Sequence, residues 1–293
     1  MINYKGKMVI IAGPTASGKS DVGLELAKKI DGYIVNADSR QVYRHLDIGT
    51  AKPQFEKEIE KNVYTIDGIN HYLFNIVDPT FNYTLYHYQR DVGQVLNREK
   101  GIPILVGGTG LYIDSVVFNY ILTKKNREKD LSKKTVKELQ HLAKPYLDRM
   151  NKSDRENRHR LIRAIARGGV DKLKGREVDN IYFVINLPKS VLESRVRERI
   201  EQMFRDGLLQ ENKKLLEMSY TYSDKGMNSI GYIEFKEYFE KIISLEEVKE
   251  NIYRNTMKYI KRQNTWFRRN SNSIWIEDLN DITYLASNFI LKE

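Results

Sequence analysis

The residues Gly13, Pro14, Thr15, Ala16, Ser17, Gly18, Lys19 and Ser20 fit G-x-x-x-x-G-K-[ST] at every fixed position. Backbone N–H groups of such a loop converge on one point, and the helix that follows adds partial positive charge there. Lys19 supplies a full charge, and the Ser20 hydroxyl is a ligand for Mg²⁺. The chemistry on offer is the holding of a diphosphate or a longer phosphate chain. A glycine-rich turn that binds nothing would account for the glycines but not for Lys19 and Ser20. The motif leaves open whether the phosphates belong to a nucleotide.

Two more positions offer polar groups beside that loop. Asp38 opens Asp-Ser-Arg-Gln-Val-Tyr (38–43) at the end of an apolar run. Such an aspartate can hold Mg²⁺ through water or accept a proton, and Asp38 or Ser39 could equally cap a helix. The amide of Gln41 can pair with an adenine edge through two hydrogen bonds. Thr109 lies in Gly-Gly-Thr-Gly-Leu-Tyr (107–112), where its hydroxyl could reach a phosphate oxygen or cap a helix. His45, His71, His87, His141 and His159 show no metal-ligand spacing, and no Ser-His-Asp order is readable.

Basic residues recur at helical spacing in two places. Arg160, Arg163 and Arg167 share one face, with Leu161 and Ile165 off it to pack inward. Arg254, Lys258 and Arg262 form a second stripe, followed by Thr265, Trp266, Phe267, Arg268 and Arg269. Cations interleaved with aromatics suit a phosphate backbone and unstacked bases, although either stripe could be a solvated helix face and the aromatics core.

The elements that must position these groups alternate. Met8 to Ala12 reads as a strand, and Asp21 to Ile30 as a helix through Val22, Leu26 and Ile30. Tyr33 to Asp38 and Ile102 to Val106 read as further strands with helical patterns between them. This implies a mostly parallel α/β sheet flanked by helices, with the phosphate loop, Asp38 and Thr109 gathered at its C-terminal edge. Residues 121–180 are charged and helical in composition without a clear buried strand, and read as an insertion domain. Ile181 to Leu187 resumes the sheet, the rest is helical, and a late strand is expected at Ser273 to Ile276. The core is therefore expected to comprise 1–120 and 181–293.

The 293 residues suffice for a large core. No run of about 18 apolar residues occurs, so no membrane span is expected. The first strand starts so early that no leader is expected, and the absence of cysteine excludes disulfides and suits the cytoplasm. The net charge of +10 is uneven: residues 121–180 carry +9, residues 249–270 carry +6, and the remainder −5. Two basic segments on an otherwise acidic chain suggest a polyanion larger than a diphosphate.

The blocks Gly13–Ser20, Asn36–Tyr43, Asp47-Ile-Gly-Thr-Ala-Lys-Pro53, Gly107–Tyr112 and Lys261-Arg-Gln-Asn-Thr-Trp-Phe-Arg268 occur in this order. With them, from about residue 8 to 268, the chain strongly resembles the bacterial tRNA dimethylallyltransferase family. Ile230-Gly-Tyr-Ile-Glu234 departs from that family's usual lysine at Ile233. The resemblance implies a P-loop NTPase-like fold with a helical insertion. It implies transfer of a dimethylallyl group from its diphosphate to N6 of the adenosine directly 3′ of the tRNA anticodon, with Mg²⁺ and no movement of a phosphoryl group. It implies Asp38, Thr109 and Lys19 as catalytic groups. Gly13 to Ser20 with Arg195 and Arg199 would bind the diphosphate, and Ser20 the metal. Asp38, Ser39, Arg40, Gln41, Thr109, His159, Arg160, Leu161, Ile162 and Arg163 would contact the tRNA anticodon stem-loop, joined by Lys258 and Arg262. A cytoplasmic monomer is expected. The rivals are a small-molecule or nucleotide kinase, which needs no pair of basic segments, and a non-catalytic RNA-binding module, which leaves Lys19, Ser20, Asp38 and Thr109 without a joint purpose.

Overall fold

The computed structural model describes residues 1–122, 131–166, 168, 173–278 and 280–292. These divide into two compact units: Phe118–Glu177, and Ile2–Val117 with Val178–Glu293.

The larger unit is built on one eight-stranded sheet. Its strands in chain order are β1 (Met8–Ala12), β2 (Gly32–Asn36), β3 (Lys57–Glu60), β4 (Val63–Ile66), β5 (Ile69–Tyr72) and β6 (Ile102–Gly107), then two that follow the insertion. In the smaller unit β7 (Tyr120–Ile121) pairs antiparallel with β8 (Leu173–Lys174). The sheet of the larger unit is completed by β9 (Asn180–Ile185) and β10 (Ile274–Ile276). The spatial order is β10-β9-β1-β6-β2-β5-β4-β3. The run from β10 to β5 is parallel, and β5, β4 and β3 form an antiparallel meander.

The five strands expected from sequence are the five contiguous members β10-β9-β1-β6-β2. β1 is buried along its whole length, as an all-apolar run between two parallel neighbours must be. The meander was not expected, since residues 39–101 read as helical. Lys57–Glu60 is fully exposed, so no buried face imposes an apolar alternation on it. The smaller unit's two strands went unseen because each is two residues long.

The helices of the larger unit are α1 (Lys19–Lys29), α2 (Leu85–Arg98) and α3 (Gly110–Val117) before the insertion. The smaller unit holds α4 (Val136–Leu142), α5 (Lys152–Arg155) and α6 (Arg158–Ala166), which close over Leu131, Leu139, Ala143 and Leu161. Then follow α7 (Lys189–Arg205), α8 (Leu208–Glu217), α9 (Lys236–Phe239), α10 (Leu245–Phe267) and α11 (Asn280–Leu291). Leu192, Val196 and Ile200 of α7 pack with Val248, Ile252 and Ile260 of α10 in a second core beside the phosphate loop. Fully burying each such side chain stabilises by roughly 1.5–3 kcal/mol. Among the described residues no helix is long and apolar enough to cross a membrane.

Candidate active site

The register of the three central strands sets the site. Ala12 of β1 lies opposite Gly107 of β6, and Val106 opposite Asn36 of β2. Three parallel strands therefore end level, and the chain segments leaving them are the phosphate loop, the Asp38 turn and the Thr109 turn.

The phosphate loop leads from β1 into α1. Gly18 (φ 86°) takes the left-handed conformation ahead of the helix. Ala16 (φ 64°) is left-handed as well, held by packing against Leu192, Val196 and Ile200. Lys19 Nζ donates to the Pro14 carbonyl at 3.3 Å. Arg199 donates from Nη1 to Thr15 Oγ1 at 3.1 Å, and Arg195 reaches the Ala16 carbonyl at 3.5 Å. Both arginines of α7 thus sit at the loop, as the resemblance implied. The Ser17 hydroxyl turns inward, buried against Gly13 and without a hydrogen-bond partner among the described residues, so Ser17 faces a ligand only through its main chain. Ser20 is exposed in the first turn of α1 and lines the same pocket as Lys19 and Asp38.

The Asp38 turn is not a helix N-terminus; the residues after it form turns. Asp38 Oδ1 accepts from the Arg40 N–H at 2.8 Å, and the carboxylate lines the pocket. The buried Asn36 side chain steadies the turn, accepting from the Asp38 N–H at 2.9 Å and donating to the Leu73 carbonyl at 3.0 Å. Gln41 spends its NH₂ on the Thr50 and Ala51 carbonyls at 3.1 and 3.0 Å. Only its Oε1 is left, so the two-bond adenine pairing open to a free amide is closed here. Thr109 Oγ1 accepts from the Ser39 N–H at 3.0 Å and lies 3.2 Å from Ser39 Oγ. Its hydroxyl ties the two turns together rather than capping α3.

One cleft runs past these groups. Its two lobes share Thr15, Asp38, Thr50, Ala51 and Arg199. The larger, of about 390 Å³, continues from Asp38 along Val196, Ile200, Met203, Ile230, Ile233 and Ile252. Ser39, Arg40, Lys258 and Arg262 line it too, the last three exposed to solvent. Ile233 adds apolar surface where the resembled family carries a lysine, and Asn228, Ser229, Glu234, Asn255 and Thr256 line the same lobe, so the wall is apolar in part.

Burial pulls the Lys19 ammonium down to about 8; the Asp38 carboxylate opposes this and Arg199 adds to it. A free Lys19 is therefore half charged near pH 8, and a polyanion that needs the charged form must supply the lost proton-binding energy above it. Referred to one ionisation state of the anion, which itself titrates over this range, affinity for inorganic diphosphate is expected to be flat below pH 8 and to fall by up to about tenfold per pH unit above it. Titration calorimetry from pH 6.5 to 9.5 reads this; a flat profile would mean that Lys19 makes no contact with the anion.

Several side chains in the site were given no role by the sequence: Glu211 and Tyr259 lie outside the motif blocks, and Lys52 and Gln263 lie inside Asp47–Pro53 and Lys261–Arg268. Glu211 of α8 accepts from the N–H groups of Asp47, Ile48 and Gly49 at 3.1, 2.9 and 3.2 Å and so fixes the cleft wall at 47–51. Lys52 is enclosed by the Tyr43 carbonyl and the Asp47 carboxylate at 2.8 and 2.6 Å, which makes it structural. Tyr259 faces the cleft beside Asp38 with Arg262 over its ring at 5.5 Å. Burial first, then the Asp38 charge, pushes its hydroxyl up to about 12. Gln263 is the polar member of an otherwise apolar stripe on α10, Val248, Ile252, Ile260, Gln263 and Phe267, and that mismatch was the available signal.

Some expectations need correcting. Phe267 is buried, and Trp266 donates from Nε1 to Asp114 at 2.8 Å while packing on Gly110, so these aromatics are core and not stacking surfaces for bases. Leu161 is fully buried in the small unit and Ile162 packs against that core, so the Leu161 side chain is closed to RNA. His159, Arg160 and Arg163 are exposed on α6, and Arg167 lies outside the described residues.

A family profile described as IPP transferase matches residues 41–270, and one described as isopentenyl transferase matches residues 6–69. A tRNA dimethylallyltransferase of Pelotomaculum thermopropionicum is 34% identical over 94% of this chain and 92% of its own length. The tRNA isopentenylpyrophosphate transferase of Bacillus halodurans superposes with a TM-score of 0.74 at 30% identity, covering 98% of this chain and 97% of that one. The corresponding enzyme of Staphylococcus epidermidis gives 0.73 at 30% identity over 99% and 100%. A eukaryotic dimethylallyltransferase acting on tRNA has the same fold, with a TM-score of 0.78 at 24% identity over 97% of this chain and 77% of that one. A mostly parallel sheet whose phosphate loop opens onto an apolar cleft, and this likeness along nearly the whole length, have one common source: the chain belongs to the IPP transferase family, that of the tRNA dimethylallyltransferases.

Proposed function

We propose that this protein transfers a dimethylallyl group from dimethylallyl diphosphate to N6 of the adenosine directly 3′ of the anticodon in tRNA, releasing diphosphate. The observation that carries this reading is the apolar wall from Val196 to Ile252 running on from the phosphate loop past Asp38. Asn228, Ser229, Glu234, Asn255 and Thr256 line the same cleft, so it is the family membership and the donor experiment below, not a lack of polar groups, that separate this reading from a kinase. A short branched hydrocarbon needs only apolar surface.

The donor's diphosphate would lie on the loop, within reach of Lys19, Arg195 and Arg199, with its hydrocarbon against that wall. The N6 lone pair of adenine is delocalised into the ring and is a weak nucleophile. As N6 attacks the allylic carbon, the N–C bond forms, the C–O bond to diphosphate breaks, and the N6 proton passes to Asp38 Oδ2. Negative charge grows on the departing oxygens, where Lys19, Arg199 and the loop N–H groups stabilise it. The Thr109 hydroxyl is engaged with Ser39 and would have to turn from it to donate to the departing oxygens.

Among the described residues no three His, Asp or Glu side chains converge. Exposed Ser20 at the pocket edge is a hard oxygen donor, so Mg²⁺ would be held by Ser20 together with oxygens of the diphosphate and water. When bound, the ion offsets charge on the leaving group. The target base leaves its stack to reach the cleft, at a cost smaller in an anticodon loop than the few kcal/mol typical of a duplex. The same reading places a monomer in the cytoplasm. Incubation with Mg²⁺, dimethylallyl diphosphate and unmodified tRNA, followed by mass spectrometry of the nucleosides, should give dimethylallyl-adenosine. Consumption of ATP with the isoprenoid diphosphate intact would restore the kinase reading.

Lys258 and Arg262 would meet the tRNA backbone at the mouth of the cleft. Among the described residues neither forms an ion pair. Tenfold dilution of salt should tighten tRNA binding steeply, because each neutralised phosphate releases counterions. Lys258→Ala is expected to make the log–log salt slope shallower by up to about one unit and to leave diphosphate binding unchanged. An unchanged slope would remove Lys258 from the RNA contacts.

A further inference from the structure

Gln263 projects from the second-last turn of the long helix α10 into the main chain at the sheet edge. Its Oε1 accepts from the Thr15 N–H at 3.0 Å, and its Nε2 donates to the Gly108 carbonyl at 2.9 Å. One buried amide therefore spans the phosphate loop and the residue before Thr109, from 248 and 155 residues away in the chain. The fit is tight on both sides. A Cβ on Gly108 would lie 2.2 Å from Gln263 Nε2, so position 108 has to be glycine for the amide to reach its carbonyl. Thr15 is gripped from the other direction by Arg199.

An apolar side chain of this size would suit the stripe of α10 and would bury without a desolvation cost. A glutamine there must find partners for both ends of its amide, and its partners are backbone groups of the two loops that hold the reacting ends of the donor. Main-chain groups have no rotamers, so fixing them fixes the loops themselves. We propose that Gln263 is a positioning residue: it sets the phosphate loop and the Thr109 turn at one spacing, so that the cradle for the diphosphate and the turn that carries the Thr109 hydroxyl are in register. This rests on the transferase reading for the identity of the departing group, and on the observed geometry for the link itself.

The link predicts coupling. Gln263 touches no substrate, so its effect on rate must pass through the two loops. Gln263→Met keeps the length and the apolar fit and removes both hydrogen bonds. It is expected to slow single-turnover transfer by about 10–10²-fold, the scale of a displacement near 1 Å at a reacting centre. Binding of inorganic diphosphate with Mg²⁺, which requires no transfer, should weaken several-fold. In Gln263→Met combined with Thr109→Ala the rate losses should be markedly less than multiplicative, because the first substitution has already misplaced the hydroxyl that the second removes. A residue that merely glues α10 to the sheet would lower the melting temperature, leave the single-turnover rate of folded protein within about twofold of wild type, and combine multiplicatively with Thr109→Ala; that outcome overturns the proposal. Should Gln263→Met fail to fold, Gln263→Leu removes both hydrogen bonds with a smaller apolar side chain. It should be slow for the same reason, and a wild-type rate in folded Gln263→Leu would equally overturn the proposal. If wild-type protein binds diphosphate but forms no dimethylallyl-adenosine, the transferase reading fails, and the diphosphate arm still tests the link.

Discussion

Asp38→Asn is expected to lower the single-turnover transfer rate by about 10²-fold or more while leaving tRNA affinity close to that of wild type. The substitution is nearly isosteric. Asn Oδ1 can accept from the Arg40 N–H as Asp Oδ1 does at 2.8 Å, and Asn36 continues to hold the turn, so the site keeps its shape. The atom that changes is the one facing the cleft, which loses the capacity to take the N6 proton. The substitution has a second consequence through Lys19. The Asp38 carboxylate opposes the lowering of Lys19 by burial, so removing it should carry Lys19 below its value of about 8. The pH at which diphosphate affinity begins to fall should shift downward in Asp38→Asn. Rapid-quench assays on purified protein and calorimetry across pH read the two effects separately. Near-normal turnover would leave Asp38 as a turn-former only.

Thr109→Ala is expected to cost about 10²–10³ in the chemical step if its hydroxyl donates to the departing diphosphate oxygen. The structure adds a control, because Thr109 Oγ1 also accepts from the Ser39 N–H at 3.0 Å. Loss of that bond could displace the Asp38 turn and slow the reaction indirectly. Thr109→Ser restores the oxygen without the methyl group and should recover most of the rate under either account. The two accounts part in Thr109→Ala when a donor with a leaving group of lower pKa is used. A direct role predicts a smaller defect with the better leaving group, since less charge needs stabilising, whereas a displaced Asp38 turn predicts an unchanged defect. A loss confined to donor binding, with normal single-turnover rates at saturation, would remove Thr109 from the chemistry.

What the chain alone determined is whatever lies in contiguous residues. The phosphate loop is eight residues in a row, and a strand before it and an amphipathic helix after it are local patterns. Asp38 and Thr109 were legible because each follows a strand directly, and parallel strands bring such ends together whatever the rest of the chain does. Arg195 and Arg199 were assigned only by resemblance, and their placement needed α7 to pack across the loop. The tertiary structure alone decided the remainder. The cleft wall comes from Val196 and Ile200 on α7, Ile230 and Ile233 in a turn, and Ile252 on α10, and in sequence these cannot be told from core. Trp266 and Phe267, beside arginines and lysines, left two readings open in the sequence, a surface for bases or core; Phe267 is buried and half-buried Trp266 packs on Gly110, which only the fold could decide. Gln41 lost its adenine-pairing NH₂ to carbonyls nine and ten residues away, a turn that no periodicity encodes. Glu211 and Gln263 bond main-chain groups more than 150 residues distant, and such a bond leaves no spacing in the sequence. Local chemistry is written in residue order because neighbours in the chain share one backbone; the shape of the cleft and the alignment of its loops are not, because burial and long-range hydrogen bonds are properties of the packed whole.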